Sequence, residues 1–118
     1  MYKFERLNVY KKALEFVSAI FDITEQFPAD LKFSLTSQII RAAISITANI
    51  AEGSGRAGAR ESANFYNIAK GSLYEVISLL DVALLKKFIS QNQYNILYEQ
   101  SEEIAKMLSG LIKFQNKQ

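Results

Sequence analysis

The sequence predicts an all-α fold, an up-down-up-down antiparallel four-helix bundle in which residues 1–118 make one domain. Three observations predict it. The chain has 118 residues, 49% of them hydrophobic and 22% charged, enough to bury a core without a metal or disulfide staple. Its punctuation is sparse: one proline, Pro28, and five glycines, of which Gly53, Gly55 and Gly58 lie within six positions. That suits long helices and short turns, whereas β-proteins need frequent turn signals. Finally, apolar residues recur at alternating spacings of three and four, the period of a helix face.

The first helix is expected over Leu7 to Phe27. Val9, Ala13, Phe16, Ile20, Ile23 and Phe27 are spaced 4-3-4-3-4, a heptad seam, with Tyr10, Leu14, Val17 and Phe21 beside it. Pro28 ends it, because proline disfavours helical geometry in the residue before it. The second helix is expected over Leu35 to Glu52, with Ser34 as its N-cap. It carries two apolar stripes: Leu35, Ile39, Ala42, Ala43, Ile46 and Ile50, and, well round the helix, Ile40, Ile44, Ala48 and Ala51. Two stripes imply two packing partners, so Ile40, Ile44, Ala48 and Ala51 are the expected oligomer interface.

The third helix is expected over Ala59 to Phe88, with Phe65, Ala69, Leu73, Val76, Leu80 and Ala83 on its core side. Ser90-Gln91-Asn92-Gln93 fits the capping box S-x-x-Q, and Ile89 and Tyr94 are placed to form its hydrophobic staple. A fourth helix therefore starts near Gln91 and runs to about Phe114, with Tyr94, Leu97, Ile104, Leu108 and Leu111 as its stripe and Ser101 in the intervening core position.

Composition removes whole classes of chemistry. Without Cys there is no disulfide, thiolate zinc site or cysteine nucleophile. Without His there is no Ser-His-Asp triad and no His-bearing di-iron site. An enzyme is not expected, nor is a cofactor, a metal or any catalytic residue. Met1 to Arg6 turns charged before an apolar stretch develops, and no apolar run approaches the ~20 residues that span a bilayer. No targeting segment and no membrane partner are expected, and the cytoplasm is the default location.

Gly53-Ser54-Gly55-Arg56-Ala57-Gly58 matches G-x-G-x-x-G, but the dinucleotide fingerprint needs a strand before it and a helix stands there instead. The expectation is a helix–helix turn whose glycines supply positive φ. It opens the third helix beside Arg56 and Arg60, a place where anions are attracted. Glu99, Glu102 and Glu103 cluster on the fourth helix and read as a solvated face, since no histidine or converging ligand set accompanies them.

Folding helices two and three as a hairpin about Arg56 sets Glu52 against Arg60, Asn49 against Asn64, Ser45 against Asn67, Arg41 against Gly71 and Gln38 against Tyr74. The expectation is a polar seam of Gln38, Ser45, Asn49, Glu52, Asn64, Asn67 and Gly71, with the bare Gly71 leaving room for the Arg41 guanidinium. The net charge is only +2. Arg41, Arg56, Arg60 and Lys70, with Lys11 and Lys12 behind them, are the expected nucleic-acid contacts, touching phosphates and not base edges. Repetition round a symmetric ring would turn these scattered cations into a focused positive surface.

Leu35-Thr36-Ser37-Gln38, Arg41-Ala42-Ala43 with Ser45-Ile46, Asn49-Ile50-Ala51-Glu52-Gly53, and then Arg56, Glu61, Phe65, Ile68-Ala69 and Gly71-Ser72-Leu73 with Glu75 form a specific series. In these residues the chain resembles the 23S ribosomal-RNA intervening-sequence protein family. Val9-Tyr10-Lys11-Lys12-Ala13 and Lys106-Met107-Leu108-Ser109-Gly110-Leu111-Ile112 are similar to it too. Ile40 stands where that family usually has the first arginine of Arg-Arg-Ala-Ala, which removes a charge and extends the second apolar stripe. The resemblance implies a small bacterial four-helix bundle that assembles as a homopentamer, without catalytic activity. Some relatives are encoded inside rRNA-gene insertions; others are accessory proteins of diversity-generating retroelements that bind a reverse transcriptase and nucleic acid. The partners to expect are other copies of the chain, RNA or DNA, or a partner protein docked on the ring.

Overall fold

A computed structural model describes all of residues 1–118. It shows four helices: α1 (Asn8–Thr24), α2 (Ser37–Ser54), α3 (Ala59–Leu85) and α4 (Gln91–Asn116). They form an antiparallel bundle of 46 × 23 × 22 Å, and α3, at about 1.5 Å per residue, runs nearly its full length. A short 3-10 turn (Lys3–Arg6) precedes α1 and packs against α2.

The core is the set of stripes that the periodicity picks out. All six residues of the α1 seam are buried, and Ile39, Ala42, Ala43, Ile46 and Ile50 of α2 meet Ala69, Leu73, Val76, Leu80 and Ala83 of α3 and Leu97, Ile104 and Leu108 of α4. On α3 the buried apolar residues begin with Ala63 and Tyr66, and Phe65, the expected first core residue, is only half-buried. Burial of Tyr66 disfavours its ionised form and raises its pKa.

α2 and α4 each run two residues past their expected ends, and three other helix ends differ for a visible local reason. α1 stops at Thr24, whose Oγ1 donates to the Phe21 carbonyl, and two turn residues separate it from the buried Phe27. Ser34 is not the cap of α2: a 3-10 turn (Ala29–Leu31) leads into a π-helical turn (Lys32–Thr36), Ser34 donates to the Leu31 carbonyl at 3.3 Å, and α2 proper begins at Ser37. α3 stops at Leu85 because Lys87 takes φ +64°, and the Phe88 amide then reaches back to the Ala83 carbonyl at 2.9 Å. That closure is normally given to glycine, since a side chain in left-handed geometry crowds its own carbonyl. α4 starts as expected: the Gln93 amide donates to Ser90 Oγ at 3.1 Å and the Ser90 amide to Gln93 Oε1 at 2.9 Å.

The turn between α2 and α3 corrects a further expectation. None of its glycines has positive φ. Gly53 instead lies buried inside α2, where a Cβ would come within 2.8 Å of Tyr66 Cε1 and 3.0 Å of Phe65 Cβ. It is there for close approach of the two helices.

Candidate functional site

α2 and α3 share the most extensive helix pair of the bundle, and their polar residues meet along it. Ser45 Oγ and Ser72 Oγ lie 2.9 Å apart, and Gln38 Nε2 donates to Glu75 Oε2 at 3.4 Å. Of the expected seam residues only Gln38 and Ser45 bond across the helix pair, and in another register. Ser45 meets Ser72, five positions beyond Asn67, and Gln38 meets Glu75, not Tyr74. The symmetric hairpin fails because the chain runs on past the end of α2 through Gly55–Gly58, so the first turn of α3 overhangs it. At that end Gly53 faces Phe65 and Tyr66.

The remaining expected pairs do not form. Asn49 Nδ2 donates within its own helix, to the Ser45 carbonyl at 2.8 Å and Ser45 Oγ at 3.0 Å, while Asn64 and Asn67 are exposed. Glu52 is held by Arg56, not Arg60. A Cβ at Gly71 would meet nothing within 4 Å, so its bareness makes no room for Arg41, whose guanidinium reaches Ser37 Oγ at 3.4 Å.

Between the two helices lies a polar groove of about 460 Å³, the size of a small-molecule cleft. Phe33 and Ser34 of the π turn stand at one end, Ser45 and Ser72 at the other, with Ser37, Gln38, Arg41 and Glu75 between. Arg41 and Glu75 line the same groove yet form no ion pair with each other or with any other side chain.

The expected nucleic-acid contacts are spread over several faces. Arg56 sits at the hairpin end, bound to Glu52 at 3.1 Å and Glu61 at 3.5 Å and stacked on the Phe65 ring at 4.7 Å. Lys70 points toward α4, donating to Ser109 Oγ at 2.8 Å. Lys12 is paired with Glu103 at 3.5 Å. Arg41, Arg60 and Lys11 have no acidic partner and stay exposed. Opposite-charge pairs on a surface cancel much of each other's field, so these three and Lys70, whose partner Ser109 is neutral, carry what free positive potential the six residues provide. Glu99 and Glu102 are exposed like Glu103, and no three acidic residues converge on a metal-sized space. No helix is long and apolar enough to cross a membrane.

The second stripe of α2 divides. Ile40 and Ala51 are half-buried, Ile40 against the core, whereas Ile44 is 45% exposed and Ala48 is exposed. Because Gln38 and Ser45 face α3, Ile40, Ile44 and Ala51 occupy the flank toward α1. On α1, Ala19 and Ile23 border the cleft with α4, which puts Tyr10, Leu14, Val17 and Phe21 on the side toward α2. Leu14 and Phe21 are 47% and 44% exposed. The apolar surface left open on this flank is thus shared by two helices, with Leu14 and Phe21 as contributors that the α2 stripe alone does not reveal.

A family model described as 23S rRNA-intervening sequence protein matches residues 5–110. A crystal structure of a protein with unknown function from the S23 ribosomal protein family of Bacteroides thetaiotaomicron superposes with a TM-score of 0.82 at 31% identity, covering 89% of this chain and 95% of its own. No curated protein matches the chain. By the extent of the match and the shared bundle, the chain belongs to the 23S rRNA-intervening sequence protein family.

Proposed function

We propose that this protein is a non-enzymatic module that self-associates into a ring and binds nucleic acid through phosphate contacts. The observation that carries it is the open apolar flank of Leu14, Phe21 and Ile44, three large side chains each nearly half exposed on the facing sides of α1 and α2. Covering such a surface stabilises by roughly 25 cal/mol per Å² of apolar area removed from water. A second copy is the occupant, and a ring follows when the patch meets a different surface of its neighbour, a heterologous contact that closes on itself. The family resemblance makes the pentamer the expected ring. Arg41, Arg60 and Lys11 on different faces give one protomer little grip on a phosphate backbone. Repeated round an axis, they present a positive surface to it.

Sedimentation velocity at micromolar concentration is the test. The wild type is expected as a single multimer and Ile44→Asp as protomers of about 13.3 kDa. Wild-type protein sedimenting as protomers overturns the assembly. RNA binding by the multimer should weaken as salt rises, because phosphate contacts release counterions. A ring that ignores RNA even at low salt points to the second reading, an adaptor that docks a partner enzyme such as a reverse transcriptase. That reading is favoured by the internal pairing of Arg56 and Lys12.

A further inference from the structure

The groove between α2 and α3 has features that phosphate contact does not use. In an unbroken helix Phe33 would lie one heptad before Ile40, on the flank toward α1. The π-helical turn over Lys32–Thr36 changes that phase, and Phe33 lines the groove on the α3 side as a residue 90% exposed. Single π turns are uncommon and concentrate at functional sites. The result is a free aromatic face at one end of a polar cleft. In the middle stand a cation and an anion that are not paired with each other, and hydroxyls of four serines line the walls.

We propose that this groove holds one unpaired guanine nucleotide of a single-stranded nucleic acid: base stacked on Phe33, Watson–Crick edge on Glu75, phosphate on Arg41. The assignment rests on the nucleic-acid reading above and adds base recognition to it. Stacking on an aromatic face accepts any base, so Phe33 supplies affinity without choice. Glu75 supplies the choice. A carboxylate only accepts hydrogen bonds, through two oxygens side by side. Guanine presents two adjacent donors, N1–H and N2–H, and matches both oxygens. Uracil offers one donor between two carbonyls, which the carboxylate repels. Glu75 also repels phosphate, and this orients the nucleotide, its charged end toward Arg41 and the serine hydroxyls. Gln38, now on Glu75 at 3.4 Å in an exposed contact, is readily displaced.

The test uses the intact protein and two fluorescein-labelled RNA 12-mers, one all-uridine and one with a single central guanosine, read by anisotropy at low salt. The guanosine probe is expected to bind about tenfold more tightly, as for a bidentate base contact. Glu75→Gln should abolish that preference, and Phe33→Ala should weaken both probes by about tenfold. Both side chains are exposed, so circular dichroism melts should match the wild type. Competition by GMP but not UMP would show that the groove accepts a free nucleotide; preference without competition would assign it to a nucleotide in a chain. Equal binding of the two probes, or a preference that survives Glu75→Gln, overturns base recognition and leaves phosphate binding standing. No binding of either probe overturns both.

Discussion

Gly53 and Gly71 are both helical glycines, yet the same substitution should move stability in opposite directions. Alanine is favoured over glycine in a helix interior by up to about 1 kcal/mol, since it restricts the unfolded chain more. At Gly71 nothing lies within 4 Å of the added Cβ, so Gly71→Ala should realise that gain. At Gly53 the Cβ would stand 2.8 Å from Tyr66 Cε1 and 3.0 Å from Phe65 Cβ. Neither neighbour can give way cheaply: Tyr66 is buried at 3% exposure, and a Cβ moves only with its backbone. Overpacking a close helix pair costs about 1–3 kcal/mol, which outweighs the propensity gain. Gly53→Ala should therefore be less stable by up to about 2 kcal/mol, a fall of up to roughly 8 °C in melting temperature. Urea and thermal melts followed at 222 nm read both variants against the wild type. If Gly53→Ala proves as stabilising as Gly71→Ala, the close-approach argument is wrong and the buried glycine has another cause.

Two more predictions concern the α3–α4 joint. Replacing Lys87, at φ +64°, by glycine should stabilise the bundle by about 1 kcal/mol in the same melts, and no gain would mean that the turn is not strained. Tyr94 Oη donates to Asp81 Oδ1 at 2.6 Å, and this hydrogen bond, aided by burial and the Asp81 charge, pushes the phenol pKa up to about 12 from 10.0. The folded state thus holds the proton more tightly than the unfolded chain. Its stabilising contribution is complete below about pH 10 and disappears as pH rises through about 12. Urea midpoints over that range should fall more steeply for wild type than for Tyr94→Phe, and parallel curves would show that the bond contributes nothing.

Much of the fold is legible in the sequence. Alternating spacings of three and four specify which side of a helix is apolar, so the α1 seam and the α2–α4 stripes are the observed core, except that Tyr66 replaces Phe65 and that Leu35, Tyr94 and Leu111 are only partly buried at its edge. A capping box is a local motif closed within four residues, and Ser90–Gln93 forms as its sequence predicts. Each of these depends on contacts a few residues apart, which the chain's own periodicity defines.

The groove was only half legible. The polarity of Gln38, Arg41 and Ser45 marked one wall, but its opposite wall, Ser72 and Glu75, depends on helix register. Register is decided by how closely Gly53 lets the helices approach and by how far the loop carries α3 past the end of α2. Phe33 reaches the rim only because a π turn changes the helical phase, and no periodicity announces that. Likewise the pairing of Lys12 with Glu103, and the joining of Leu14 and Phe21 to Ile44 in one open flank, bring together residues from different helices. The sequence alone determined four amphipathic helices and the chemistry this chain lacks, because those follow from composition and short-range spacing. Which cations stay free, which hydroxyls converge and which apolar side chains remain in water were decided by tertiary packing, because each is a relation between helices.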